Sequence, residues 1–158
     1  MNFLRSAAAA GLAALTLNHA LALDLASAIT GDRLFIARAQ IADKQWASAL
    51  QELRRLDDTG DANWNNLMGY SLRKSKTPDY AEAERYYDAA LRIDPTHRGA
   101  LQYSGELYLT LGNLAKAQER LAALNTLCAQ PCTEQAALAQ AIEEHVEGSR
   151  RQLAAQSQ

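Results

Sequence analysis

Residues 63–95 read NWNNLMGYSLRKSKTPDYAEAERYYDAALRIDP, and this stretch decides the fold. Trp64, Leu67, Met68 and Leu72 recur at three- and four-residue spacing, which predicts a helix from Asn63 to Lys74. Ser75 to Asp79 break it, with Pro78 inside the turn. A second helix is expected from Tyr80 to Ile93, and Asp94-Pro95 end it, because proline cannot continue a hydrogen-bonded turn and restrains the residue before it. The resulting hairpin repeats along the chain. Trp46, Tyr80 and Leu114 recur at one constant interval, and so do Ala49, Ala83 and Ala117; Leu53, Tyr87 and Leu121; and Leu56, Ala90 and Leu124. That 34-residue period predicts an all-α solenoid of helical hairpins, each burying its apolar face against its neighbours.

The same pattern extends in both directions. A later hairpin runs from Arg98 to Leu111, turns at Gly112-Asn113 and continues from Leu114 to Cys128. An earlier, more degenerate one spans Asp32 to Ala42, turns at Asp43-Lys44, and runs from Trp46 to Leu56. The repeats are thus expected at about 32–61, 62–97 and 98–131. One irregularity stands out: the interval from Gly69 to Ala83 is two positions longer than the matching interval from Gly105 to Ala117. The turn inside the middle repeat is therefore longer. After Pro131 an amphipathic helix from Thr133 to Glu147 is expected, with Thr133 as its N-cap and Leu138, Ala141, Ile142 and Val146 on one stripe. Such a helix covers the open end of a solenoid. Residues 148–158 are polar and read as a flexible tail.

The segments Asn66 to Tyr70, Tyr80 to Ala83, Tyr87 to Leu91 and Ile93 to Pro95, with Gly105, Tyr108, Gly112, Ala117 and Leu124, resemble the tetratricopeptide repeat. The resemblance covers about residues 32–128. It implies a right-handed superhelix of about three repeats plus the capping helix, within a domain spanning 32–147. It also implies a protein- or peptide-binding groove on the inner, concave wall, lined by the outward positions of each first helix. On this chain those positions are Leu34, Arg38 and Ile41, then Asn63, Asn66, Tyr70 and Arg73, then Gln102, Glu106 and Leu109. Asn side chains offer a donor and an acceptor to an extended peptide backbone, and Arg38 and Arg73 offer paired donors to a carboxylate. The alternative is a solvated helix face with Asn63 capping its helix. Some members of the family clamp a C-terminal carboxylate with a Lys/Asn/Arg set. Here Gln102 and Glu106 replace basic residues, so that specificity is not implied.

Residues 1–22 are set apart. Arg5 precedes an apolar run from Ala7 to Leu17, and Ala20-Leu21-Ala22 supplies small residues for signal-peptidase cleavage before Leu23. That run is only about half the length of a spanning helix, which needs about 20 residues. The expectation is a signal peptide at 1–22, a linker at 23–31, and export to the periplasm or beyond without membrane insertion. Cleavage removes Arg5 and no acidic residue, leaving 15 Lys+Arg against 18 Asp+Glu. A net charge of −3 gives no basic excess for nucleic acid.

Cys128 and Cys132 are the two cysteines, and in an exported chain the pair reads as a disulfide. Closing so short a loop contributes about 2 kcal/mol at most. A redox or metal-handling site is the competing reading. The spacing differs from the thioredoxin type, and His97 and His145 leave a metal ligand set incomplete. The pair and its following helix also resemble the ending of a small exported bacterial subgroup of these repeat proteins. No nucleophile motif and no Gly-rich phosphate loop is present, so neither an enzyme nor a cofactor is expected. The partner expected is another protein or a peptide segment, with self-association left open by the small number of repeats.

Overall fold

The computed structural model describes residues 32–157. The expected signal peptide and the linker at 23–31 lie outside them. The chain divides into Met1–Phe35 and Ile36–Gln158. Of the first unit, only Asp32 to Phe35 are described, and they form a turn in which the Leu34 amide donates to Asp32 Oδ1 at 2.9 Å. This turn delays the first helix, expected from Asp32, to Phe35.

Seven helices follow, with no strand among the described residues: α1 Phe35–Ala42, α2 Trp46–Leu56, α3 Ala62–Lys74, α4 Tyr80–Ile93, α5 Arg98–Thr110, α6 Leu114–Leu127 and α7 Thr133–Gln156. The bounds of α2 and α4 are those expected from the repeat. α3 starts one residue early because Asp61, not Asn63, is the N-cap and accepts from the Trp64 amide at 2.8 Å. α3 packs on α4 and α5 on α6 as hairpins, α2 lies against α3, and α4 lies against α5. The architecture is an all-α solenoid of helical hairpins closed by a capping helix. Its first repeat is the least complete, with a short α1.

The core follows the period of the sequence. Ala49, Ala83 and Ala117 are fully buried, as are Leu53, Tyr87, Ala90 and Leu124. Gly69 shows why a small residue stands opposite them: a Cβ there would meet the Tyr87 ring at 2.9 Å and the Ala83 carbonyl at 3.0 Å. Gly105 has a different kind of neighbour from Gly69. A Cβ at Gly105 would strike Leu138 of α7 at 2.6 Å, so this glycine admits the capping helix. Leu138 is fully buried and packs with Leu101 and Leu124, flanked by Leu121 and Ile142.

The irregular middle turn has a local cause. Lys44 and Gly112 hold equivalent turn positions, two periods apart, and both are left-handed, at φ 58° and 73°. In each turn the next amide reaches back across five residues, Gln45 to the Gln40 carbonyl and Asn113 to the Tyr108 carbonyl, both at 2.8 Å. This is the Schellman closure of a helix. The position between them, one period from each, is Pro78, whose ring locks φ at a negative value and removes the amide. The middle repeat cannot turn in the same way, and Ser75 to Asp79 make the longer connection instead. Ser75 Oγ donates to the carbonyls of Leu72 and Thr77 at 3.0 and 2.8 Å.

Two expectations about the last helix are corrected. Cys132, not Thr133, holds the N-cap position, and no side chain caps α7. The helix also continues to Gln156, well past the expected end at Glu147. Arg150, Arg151, Gln152, Leu153 and Ala154 are all good helix formers, and an Arg150–Glu147 pair at 2.6 Å bridges one turn. Cys128 and Cys132 are joined by a disulfide with Cα atoms 5.9 Å apart, between the end of α6 and the start of α7. No helix among the described residues is long and apolar enough to cross a membrane.

Candidate functional site

The first helices of the second and third repeats bring four of the ten expected groove residues, Tyr70, Arg73, Gln102 and Glu106, into one cluster. Tyr70 of α3 stands between two other rings. Trp46 meets it edge-on, with centroids 5.9 Å apart, and Tyr103 of α5 lies against it at 4.5 Å. Arg73, one turn after Tyr70, places its guanidinium 5.6 Å from the Tyr70 centroid and 5.9 Å from that of Tyr103. Contacts of this kind contribute about 0.5–2 kcal/mol each, more when water is excluded.

The charge of Arg73 is matched within the protein. Nη2 donates to Glu106 Oε2 at 2.7 Å, and Gln102 Nε2 donates to Glu106 Oε1 at 2.9 Å. The carboxylate that Arg73 was expected to grip is therefore that of Glu106, on the neighbouring repeat. The Arg73 side chain is 9% exposed. Burial opposes its charge, but nearby Tyr87 and Glu106 outweigh that effect and leave its pKa raised. Tyr87, beneath the cluster, is pushed well above the ordinary tyrosine value by burial, against the pull of Arg73. Its hydroxyl has no hydrogen-bond partner of good geometry. Tyr103 is raised too, first by burial and then by Tyr70 and Glu106.

The two asparagines separate. Asn63 is exposed, and its Oδ1 lies 3.2 Å from Nε2 of His97, the equivalent residue one period later. Asn66 was expected on an open wall but is only 6% exposed, close under Gly99, and its Oδ1 has no hydrogen-bond partner. A buried acceptor without a donor costs free energy comparable to a lost hydrogen bond. Arg38 is exposed on α1 and is not part of this cluster, Ile41 and Leu109 are half-buried, and Leu34 is buried.

Sequence reasoning missed Tyr103. Its ring completes the aromatic row, yet it sits one residue after Gln102, off the stripe taken for the groove. Trp46, which the repeat period places among the packing positions, also flanks Tyr70. Trp64 is 2% exposed and donates from Nε1 to the Leu53 carbonyl at 2.8 Å. Among the described residues, no group of three or more His, Cys, Asp and Glu is placed to hold a metal ion.

Comparison with known proteins supports the fold. The tetratricopeptide repeat model matches residues 78–142. No curated protein matches the sequence. Among solved structures, the chain is similar to the type III secretion translocator chaperone SycD of Yersinia enterocolitica, with a TM-score of 0.64 at 18% identity, over 78% of this chain and 88% of that one. It is also similar to SycD in complex with a peptide of the translocator YopD, with a TM-score of 0.61 at 17% identity, over 78% and 94% of the two chains. PcrH in complex with the chaperone-binding region of PopD gives 0.58 at 21% identity, over 90% and 97%. The constant period, the close approach of Gly69 to Ala83 and the model matched over residues 78–142 together give this chain a tetratricopeptide-type fold, a solenoid of helical hairpins.

Proposed function

We propose that this protein is a non-enzymatic peptide-binding module of the bacterial periplasm, which receives a segment of a partner protein on the face formed by α3 and α5. The observation that carries the reading is the row Trp46–Tyr70–Tyr103 beside Arg73. Half-buried rings on rigid helices give apolar contact with little loss of side-chain freedom on binding. Asn63 and Gln102 stand at the edge of the same face and can fix register. The similar chaperones captured with translocator peptides support a peptide as the class of partner. The signal-like segment at 1–22 supports export.

The test starts from a library of displayed peptides selected on the mature protein. Enriched peptides should lose binding at least tenfold to the variant carrying Tyr103→Ala and Gln102→Ala, with the helical circular-dichroism signal retained. Equal binding by that variant removes the face from consideration. Mass measurement of the protein from the periplasmic fraction should give a chain beginning at Leu23; an uncleaved chain in the cytoplasm contradicts the location.

A thiol-redox or metal-handling role is the second reading, and one observation favours it: Cys132 stands at the start of α7, where the helix dipole stabilises a thiolate. Titration of free thiols decides between the two. A bond that resists mild reductant supports a structural clip, and rapid cycling supports redox work.

A further inference from the structure

The longer turn of the middle repeat has a consequence away from the peptide face. A cavity of about 600 Å³ opens beside it. One wall is the end of α3 and the turn after it, Leu72 and Ser75 to Thr77; the other is the α1–α2 turn and the start of α2, from Lys44 to Ser48, with Leu50 and Arg54. The wall from Ser75 to Thr77 exists because Pro78 forbids the tight left-handed closure used at Lys44 and Gly112.

The lining has a consistent chemistry. Trp46, Leu50 and Leu72 supply an apolar floor, and Ser48, Ser75 and Thr77 supply hydroxyls. Lys44, Arg54 and Lys76 supply three positive charges, and no Asp or Glu lines the cavity. Elsewhere in this chain, Arg55, Arg73, Lys116, Arg120 and Arg150 are each bridged to a carboxylate. Among the described residues, none of the three cations at the cavity is in such a bridge. In a chain with a net negative charge, three cations around an apolar floor form a distinct local field. The volume lies in the range of small-molecule sites, roughly 300–1,000 Å³, and is too small for a folded partner.

We infer that this cavity is a second binding site, which takes a small organic anion with an aromatic or branched apolar body. The body lies on Trp46, Leu50 and Leu72, and the anionic group sits among Lys44, Arg54 and Lys76. The site is separate from the peptide face but touches it through Trp46, which lines the cavity and whose ring meets Tyr70 edge-on.

The test uses the full mature chain and a matched pair of fluorescent probes. 8-Anilinonaphthalene-1-sulfonate carries the anion, and N-phenyl-1-naphthylamine is its neutral counterpart. The sulfonate should bind with one-to-one stoichiometry, quench tryptophan fluorescence, and weaken as salt rises. The neutral probe should bind at least tenfold more weakly. The variant Lys44→Asn, Arg54→Gln, Lys76→Gln alters only exposed side chains and keeps at Lys44 a residue tolerant of a left-handed backbone. It should weaken sulfonate binding about tenfold, as expected for three partly screened charge contacts, with an unchanged melting temperature. Equal binding of the two probes, undiminished binding to the triple variant, or more than one equivalent bound each overturns the inference.

Discussion

Two nearby glycines have opposite structural roles. Gly69 lies under the Tyr87 ring and the Ala83 carbonyl, both within 3.0 Å of where a Cβ would sit, whereas nothing lies within 4 Å of the corresponding point at Gly60. The ring is fully buried and the carbonyl belongs to a packed helix, so neither can withdraw cheaply. Gly69→Ala should therefore destabilise the fold by about 1–3 kcal/mol despite the better helix propensity of alanine. Gly60→Ala should leave it within about 0.5 kcal/mol. Urea unfolding followed by circular dichroism separates the two. Equal midpoints would mean that α3 and α4 do not approach as described. Residue identity also sets the N-caps, where one period links Gln45, Asp79 and Asn113. Asp79 and Asn113 accept from the amides of Glu82 and Lys116 at 2.9 and 3.1 Å, while Gln45 makes no such bond.

Among the elements, α7 depends most on a single contact. Leu138 fills the space left by Gly105 and completes the cluster with Leu101 and Leu124. From Ser149 onward the described part of the helix is exposed. The disulfide holds the start of α7 near the end of α6 but does not cover apolar surface. Leu138→Ala should cost about 2–5 kcal/mol in docking free energy. Amide exchange in α7 and α5 should accelerate strongly, while α3 and α4 keep their protection. Uniform acceleration across all helices would contradict a solenoid in which each element rests only on its neighbours. Ion pairs link the second and third repeats on both sides of the stack. Arg73–Glu106 joins the first helices, and Lys116–Glu84 and Arg120–Asp88 join the second. The latter two are more exposed, and pairs of that kind contribute up to about 1 kcal/mol each.

At the scale of the molecule, alkaline stability reports on the shared interior. Burial raises the pKa of Tyr86, Tyr87, Tyr103 and Tyr108 in the folded chain. A group raised on folding contributes stability that is fully present below its unfolded value, about 10 for tyrosine, and is lost as pH climbs through the folded value. The unfolding free energy from urea titration should hold steady from about pH 7 to 9 and then fall, by about 1.4 kcal/mol per pH unit for each tyrosine still protonated in the fold. Tyr87→Phe should flatten that fall. A parent protein insensitive to pH above 10, or a variant that falls as steeply, would remove Tyr87 from the account. The solenoid as a whole was legible from sequence because its contacts are local: Ala49, Ala83 and Ala117 lie at fixed spacing and meet the same kind of neighbour each time. The proposed peptide face was only half legible. Its stripe was found through Tyr70, Arg73, Gln102 and Glu106, but Tyr103 and Trp46 enter from helices and positions that spacing on one helix does not relate.

The sequence by itself determined the helices, their pairing and the buried alanines, since a constant period and a proline or capping residue at each turn leave the backbone few alternatives. Only the tertiary structure decided that Arg73 is already engaged by Glu106, that Asn66 is covered, that Gly105 serves α7, and that the turn forced by Pro78 opens a cationic cavity. The physical reason is the range of the interactions. Periodicity encodes what a residue does on its own helix. Whether a charge is satisfied or a carbonyl oxygen is left without a donor depends on side chains a full repeat away along the chain, whose approach is fixed only when the hairpins stack.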